Sequence, residues 1–213
     1  MKTFLAIIGG LVLAAIVAAV GLWLHYRAPD VPHATLVAEY GRPQSRFADL
    51  GDGLVIHYLD SGPRDGQPLV LLHGFGDNSF SWDGWTKRLS GRFRILAVDL
   101  PGHGLTEAPD DYRPSPENCT AILDRWAAKI GLPRFAIGGN SLGGGLAWVM
   151  AIRHPARVSH VVLVDAAGWP LPPSDKPLPL AFRLMQYRIG RELIASIDNT
   201  PLIREGLRRN AGN

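Results

Sequence analysis

A single cysteine, Cys119, leaves this 213-residue chain unable to form an internal disulfide. It stands in a helix-like segment with no histidine or second cysteine at metal-ligand spacing. It therefore reads as a buried or half-buried structural thiol, and neither a metal nor a cofactor is expected. Charge of one sign is also scarce. Lys and Arg number 22 against 19 Asp and Glu, a formal net charge of +3. The arginines are scattered apart from Arg204, Arg208 and Arg209, which speaks against nucleic acid as a partner. Internal repeats and low-complexity tracts are absent. From Phe4 to Leu24 charged residues are missing altogether.

That last absence has a physical meaning. About 20 apolar residues are what a helix needs to cross a bilayer. Lys2 precedes the run, His25-Tyr26-Arg27 follows it, and Trp23 and Tyr26 stand where interfacial aromatics belong. Residues 1–27 read as an uncleaved, single-pass membrane anchor. A cleavable signal peptide, with a weak small-residue site at Ala18-Ala19-Val20-Gly21, is one alternative. A core helix of a water-soluble protein is another. Lys2 and Arg27 leave the orientation weakly determined, and the following domain is expected outside the cytoplasm.

Residues 28–45, rich in proline and polar side chains, read as a linker. Then strand-like and helix-like segments alternate. Leu54–Leu59, Leu69–Leu72, Phe93–Val98, Arg134–Gly138 and Val158–Val164 are apolar strand candidates. The last four have the continuous apolar character of strands buried on both faces. Ser81–Leu89, Pro116–Ile130 and the stretch after Ser141 read as the intervening helices, with Ile122, Leu123, Trp126 and Ile130 on one face of the second. Such alternation predicts an α/β fold: a mostly parallel sheet with helices on both faces and ligands at the C-terminal strand ends. The chemistry-bearing residues fall at those ends. After Gly168 the texture changes. Pro170, Pro172, Pro173, Pro177 and Pro179 break regular structure, Leu180–Ile197 reads as an amphipathic helix, and Leu202–Leu207 as a further one.

Gly139-Asn140-Ser141-Leu142-Gly143 is a G-x-S-x-G between a strand and a helix. A serine there sits on a sharp turn, and the glycines avoid clashes with the flanking elements. With His73-Gly74-Phe75-Gly76 and Asp99-Leu100-Pro101-Gly102-His103-Gly104 in the right order before it, the chain from about Val55 to Gly168 resembles the α/β-hydrolase fold superfamily. The resemblance implies that Ser141 is the nucleophile and that the N–H groups of Leu142 and Phe75 hold the oxyanion. It implies that His73, Gly74, Gly76, Asp99 and His103 shape loops beside the site. Residues 46–169 would be the N-terminal part of the hydrolase core and 170–213 the start of a helical cap. A serine rather than an aspartate in the elbow points to carboxylesters, lipids, thioesters or meta-cleavage-type carbon–carbon hydrolysis.

In that superfamily the acid and then the histidine follow the serine. After Ser141 only His154 and His160 occur. His154 ends the nucleophile helix, about 18 Å away at 1.5 Å per residue, and His160 lies inside the next strand. Asp165 is a candidate acid in a rearranged triad, with no histidine to orient. The chain is thus expected to be an N-terminal piece of a longer hydrolase, lacking its general base and the last strands of its sheet. That would leave an exposed parallel edge prone to aggregation. The expected reaction is acyl transfer through Ser141 on a small, hydrophobic acyl substrate; Leu178, Leu180, Phe182 and Met185 supply apolar cap surface. The alternatives are a non-catalytic, membrane-anchored binding protein, and an enzyme using the same elbow for haloperoxidase or acyltransfer chemistry.

Overall fold

Two units make up the chain: residues 1–32 with 172–213, and His33–Leu171. The structure, a computed structural model, describes residues 2–168, 170, 180–201, 203–204 and 208. Leu178, the breaks at Pro172, Pro173, Pro177 and Pro179, and most of the helix expected over 202–207 lie outside the described residues.

The larger unit is a sheet with helices on both faces. Its strands are β1 (Ser45–Asp49), β2 (Val55–Ser61), β3 (Gln67–Leu72), β4 (Phe93–Val98), β5 (Phe135–Asn140) and β6 (Val158–Val164). They lie in the order β1-β2-β4-β3-β5-β6. The β1/β2 and β2/β4 pairs are antiparallel; β4/β3, β3/β5 and β5/β6 are parallel. Crossovers between parallel neighbours run through helices, as the alternation predicts.

On one face pack α4 (Pro116–Lys129) and α5 (Leu142–Arg153), burying Ile122, Leu123, Trp126, Leu146 and Met150 with Val70, Leu72, Leu96 and Ile137. On the other, Trp82 and the partly buried Trp85 and Leu89 cover Leu69, Leu71, Ile95 and Ala97. These last come from a 3-10 turn, Ser79–Trp82, and α3 (Asp83–Leu89). Ser115 caps α4 by accepting from the Asn118 N–H at 3.1 Å, with Pro116 at the first helical position. Cys119 is buried, 3.0 Å from the Tyr112 hydroxyl.

The stretch read as linker is more ordered than its composition suggests. It carries α2 (His33–Tyr40) and the first residue of β1. α2 is held by tertiary contact: a ring nitrogen of His33 lies 2.9 Å from the Leu105 carbonyl. Such a contact leaves no trace in local composition.

The smaller unit contains α1 (Lys2–Tyr26), α6 (Leu180–Met185) and α7 (Arg188–Ala195). Within α1, Ala6–Tyr26 is long and apolar enough to cross a membrane and has no buried share. At about 1.5 Å per residue the 25-residue helix spans about 37 Å, more than the ~30 Å hydrocarbon core. The single helix expected over Leu180–Ile197 is instead two. A turn intervenes, with the Tyr187 N–H donating to the Leu184 carbonyl at 3.0 Å. Gly190 is buried, and a Cβ there would run into the Leu184 carbonyl.

Candidate active site

Parallel pairing carries the C-terminal ends of β3, β4, β5 and β6 to one side of the sheet. These ends open into His73, Asp99, Ser141 and Asp165.

Ser141 is exposed and links β5 to α5 with φ 48° and ψ −113°. That left-handed conformation is rare for a residue with a Cβ and costs of order 1–3 kcal/mol. It persists because neighbours over-determine it. The Ser141 N–H donates to the Val164 carbonyl at 3.1 Å. Its carbonyl accepts from Gly145 at 3.0 Å and Ala167 at 2.9 Å. The Asn140 amide also reaches the Val164 carbonyl, at 3.2 Å. Glycine is required at two flanking positions by close approach: a Cβ on Gly139 would strike the Gly143 backbone, and one on Gly143 the carbonyls of Leu72 and His73. The Ser141 hydroxyl is used in no helix cap, and Leu142 is the first residue of α5. The opening N–H groups of a helix have no intrahelical acceptor and favour negative charge nearby.

The loop after β3 lies against this turn. A Cβ on Gly74 would sit 3.0 Å from the Asn140 amide oxygen and 3.6 Å from the Ser141 Cβ. Phe75 follows, exposed, its ring edge-on to His103 with centroids 5.8 Å apart. Gly76 turns the chain at φ 71°.

His73 is fully buried, and its geometry fixes its protonation. The Leu100 N–H donates to its Nε2 at 3.0 Å, so Nε2 carries no proton. Its Nδ1–H then donates to the Gly74 carbonyl at 2.7 Å. Burial holds its pKa below the ordinary value, outweighing the Gly74 contact. With its lone pair already engaged, His73 joins two loops and has no basic site to offer a substrate. His103, half-buried, packs beside it at 5.1 Å.

Asp99 is buried and accepts three hydrogen bonds: from the Ser79 N–H at 2.6 Å, the Leu105 N–H at 2.8 Å and His57 Nδ1 at 2.7 Å. Burial pushes its pKa up, and these bonds more than offset that, leaving it below the ordinary carboxylate value. His57 was missed from the sequence, where it is one residue of an apolar strand. Its Nε2 lies 2.8 Å from Ser45 Oγ, completing a Ser–His–Asp chain. That chain runs from the end of β4 over β2 to β1, with β3 between it and the elbow strand β5, and the Arg42 N–H donates to the same Ser45 oxygen at 3.0 Å. It ties β1, β2 and β4 together. Only the antiparallel pairing of β2 with β4 brings His57 to Asp99, and one strand's pattern cannot reveal that.

Asp165 is exposed at the end of β6 and also left-handed, with φ 48°. All seven histidines are described, and none hydrogen-bonds Ser141 Oγ. His154 caps α5 and stands 3.6 Å from Asp124. His160 lies within β6. Among the described residues no group of three or more His, Cys, Asp or Glu side chains converges as a metal site would.

A family model described as alpha/beta hydrolase fold matches residues 67–188, more than half of the chain. A Xanthomonas campestris pv. campestris protein named cis-3-alkyl-4-alkyloxetan-2-one decarboxylase is 30% identical over 159 residues, which cover 70% of this chain and 53% of that protein. The (lyso)-N-acylphosphatidylethanolamine lipase of Mus musculus is 36% identical over 115 residues, 53% of this chain and 34% of the lipase. Among solved structures, a bacterial membrane phospholipase A matches with a TM-score of 0.59 at 28% identity, covering 98% of this chain and 76% of that one. The chain spans about half or less of the length of these curated relatives.

Proposed function

Since this chain belongs to the alpha/beta hydrolase fold family, we propose that it carries the nucleophile and oxyanion site of a membrane-anchored serine hydrolase. One observation carries the reading: Ser141 is held exposed in a strained backbone conformation by three hydrogen bonds between the elbow and the end of β6 and a fourth from Gly145 in the first turn of α5. Strain of this kind persists where a side chain must be presented in one direction.

In the proposed step Ser141 Oγ attacks an acyl carbon and its proton passes to a base. The Leu142 and Phe75 N–H groups receive the negative charge that develops on the acyl oxygen. Each such donor contributes roughly 3 kcal/mol. The alcohol leaves with the proton, and water then releases the acid from the enzyme ester. No histidine of this chain bonds to Ser141, so the base is brought by polypeptide outside these residues; Asp165, at the end of the neighbouring strand, is the candidate acid. Gly74, Gly76, Asp99, His73 and His103 shape the loops that support the site.

Residues 46–169 are read as core, 170–213 as the beginning of a helical cap, and α1 as the anchor, with the hydrolase unit outside the cytoplasm. The substrate proposed is a hydrophobic, lipid-like ester. An apolar anchor supports this, as do relatives named for an alkyl-substituted oxetanone, an acylated phospholipid and a phospholipase. The missing base favours one second reading, an anchored binding protein without turnover.

A fluorophosphonate probe separates the two. Applied to the whole protein with its base, it is expected to label Ser141, with labelling abolished in Ser141→Ala. A folded whole protein that takes no label would leave only the binding reading.

A further inference from the structure

The helix after the proline-rich stretch has two unlike sides. On α7, Arg188, Arg191, Glu192 and Ala195 occupy one arc; Ile189, Gly190, Leu193 and Ile194 occupy the other. Gly190 is consumed in packing against α6, which leaves Ile189 79% and Leu193 45% exposed, with Tyr187 69% exposed just before the helix. Apolar side chains at i and i+4 beside an exposed tyrosine do not repay exposure to water.

Where α7 ends says what covers that face. Ser196, its C-cap residue, accepts the Trp23 indole N–H on Oγ at 2.9 Å. The Ser196 carbonyl accepts from the Ala28 N–H at 3.0 Å, and the Asp198 N–H donates to the Tyr26 carbonyl at 2.9 Å. Between them Arg27 and Ile197 form an antiparallel bridge. The C-terminal end of α7 is thus fastened to residues 23–28, the stretch where α1 stops and interfacial aromatics belong. An eight-residue helix is about 12 Å long, so all of α7 stays near that level.

Charge agrees with this placement. Arg27, Arg183, Arg188 and Arg191 outnumber Glu192 and Asp198 in the same segments. Arg188 pairs with Glu192 at 2.7 Å on an exposed surface, a weak pair that a lipid phosphate can replace.

We propose that α7 lies in the headgroup region of the membrane that α1 crosses, with Ile189, Leu193 and Tyr187 turned to the acyl boundary and the arginines to anionic headgroups. Helices of this kind sit about 5–10 Å into that boundary. The inference rests on the reading of α1 as an anchor and extends it: the segment read as cap is itself membrane-bound.

The test uses the full chain in a Cys119→Ser background. Ile189→Cys, Leu193→Cys and, as control on the polar arc, Ala195→Cys are each labelled with an NBD fluorophore. The proteins are reconstituted in nanodiscs of phosphatidylcholine and phosphatidylglycerol. Labels at 189 and 193 are expected to emit to the blue and to be quenched by nitroxide-bearing lipid, while that at 195 stays water-like. Water-like emission at 189 and 193 overturns the inference. So does an equal blue shift at all three positions, the sign of a helix buried in protein. Carbonate extraction of the same samples keeps the two failures apart. Retained protein with water-like labels sinks the interfacial helix alone; extracted protein sinks the anchor reading and the interfacial helix with it.

Discussion

At the scale of single residues, Ser141 trades stability for presentation. A glycine at this φ and ψ would shed the strain but add chain entropy to the unfolded state. Ser141→Gly is therefore expected to gain about 1–2 kcal/mol and to remove the proposed nucleophile, whereas Ser141→Ala removes the same hydroxyl and keeps the strain. Thermal unfolding of the two variants side by side checks this, and equal melting temperatures would contradict it. His73 and Asp99 make the same region sensitive to acid. The folded pKa of His73 lies below its ordinary 6.5, so on acidification the unfolded chain takes up the proton first. The stability held in neutral His73 is complete above that value and drains as the pH falls towards the folded one. Asp99 adds a second loss below its ordinary 3.8, again because the folded form resists protonation. Melting temperature is expected to fall between about pH 7 and pH 5, and His73→Gln to flatten that slope while lowering stability at neutral pH.

At the scale of elements, β6 behaves unlike its neighbours. Its sequence, Val-Ser-His-Val-Val-Leu-Val, is that of a strand buried on both faces. Yet it ends the sheet order among the described residues, with Val161, Val162 and Leu163 each more than a third exposed. The edge has no proline or lysine to discourage pairing with another chain. Leu163→Lys is expected to suppress light scattering of the 213-residue chain on standing and to shift stability by no more than about 0.5 kcal/mol. Unchanged aggregation would place the sticky surface elsewhere. The β5–α5 elbow, by contrast, was legible from Gly139, Ser141 and Gly143, because close packing on either side of the serine leaves no room for a Cβ at 139 or 143.

For the molecule as a whole, the question is whether α1 stays. Removing residues 1–27 is expected to release the protein from carbonate-washed membranes while the intact chain remains. Amino-terminal sequencing of the intact product distinguishes the two fates of α1: a start at Met1 fits an anchor, and a start near Gly21 fits a cleaved signal.

What the chain determined locally was β2 to β6, the core helices α3 to α5, the order of its three motifs and the length of its apolar run. Each depends on neighbours within a turn or two, through apolar periodicity and the steric needs of glycine. Tertiary structure alone decided that His57 meets Asp99, that His73 is locked neutral between two loops, that α2 is a helix, and that Arg27 bridges Ile197. Those contacts join residues 42, 27, 72 and 170 positions apart. Pairing across such distances is set by strand order and burial, which no local pattern records.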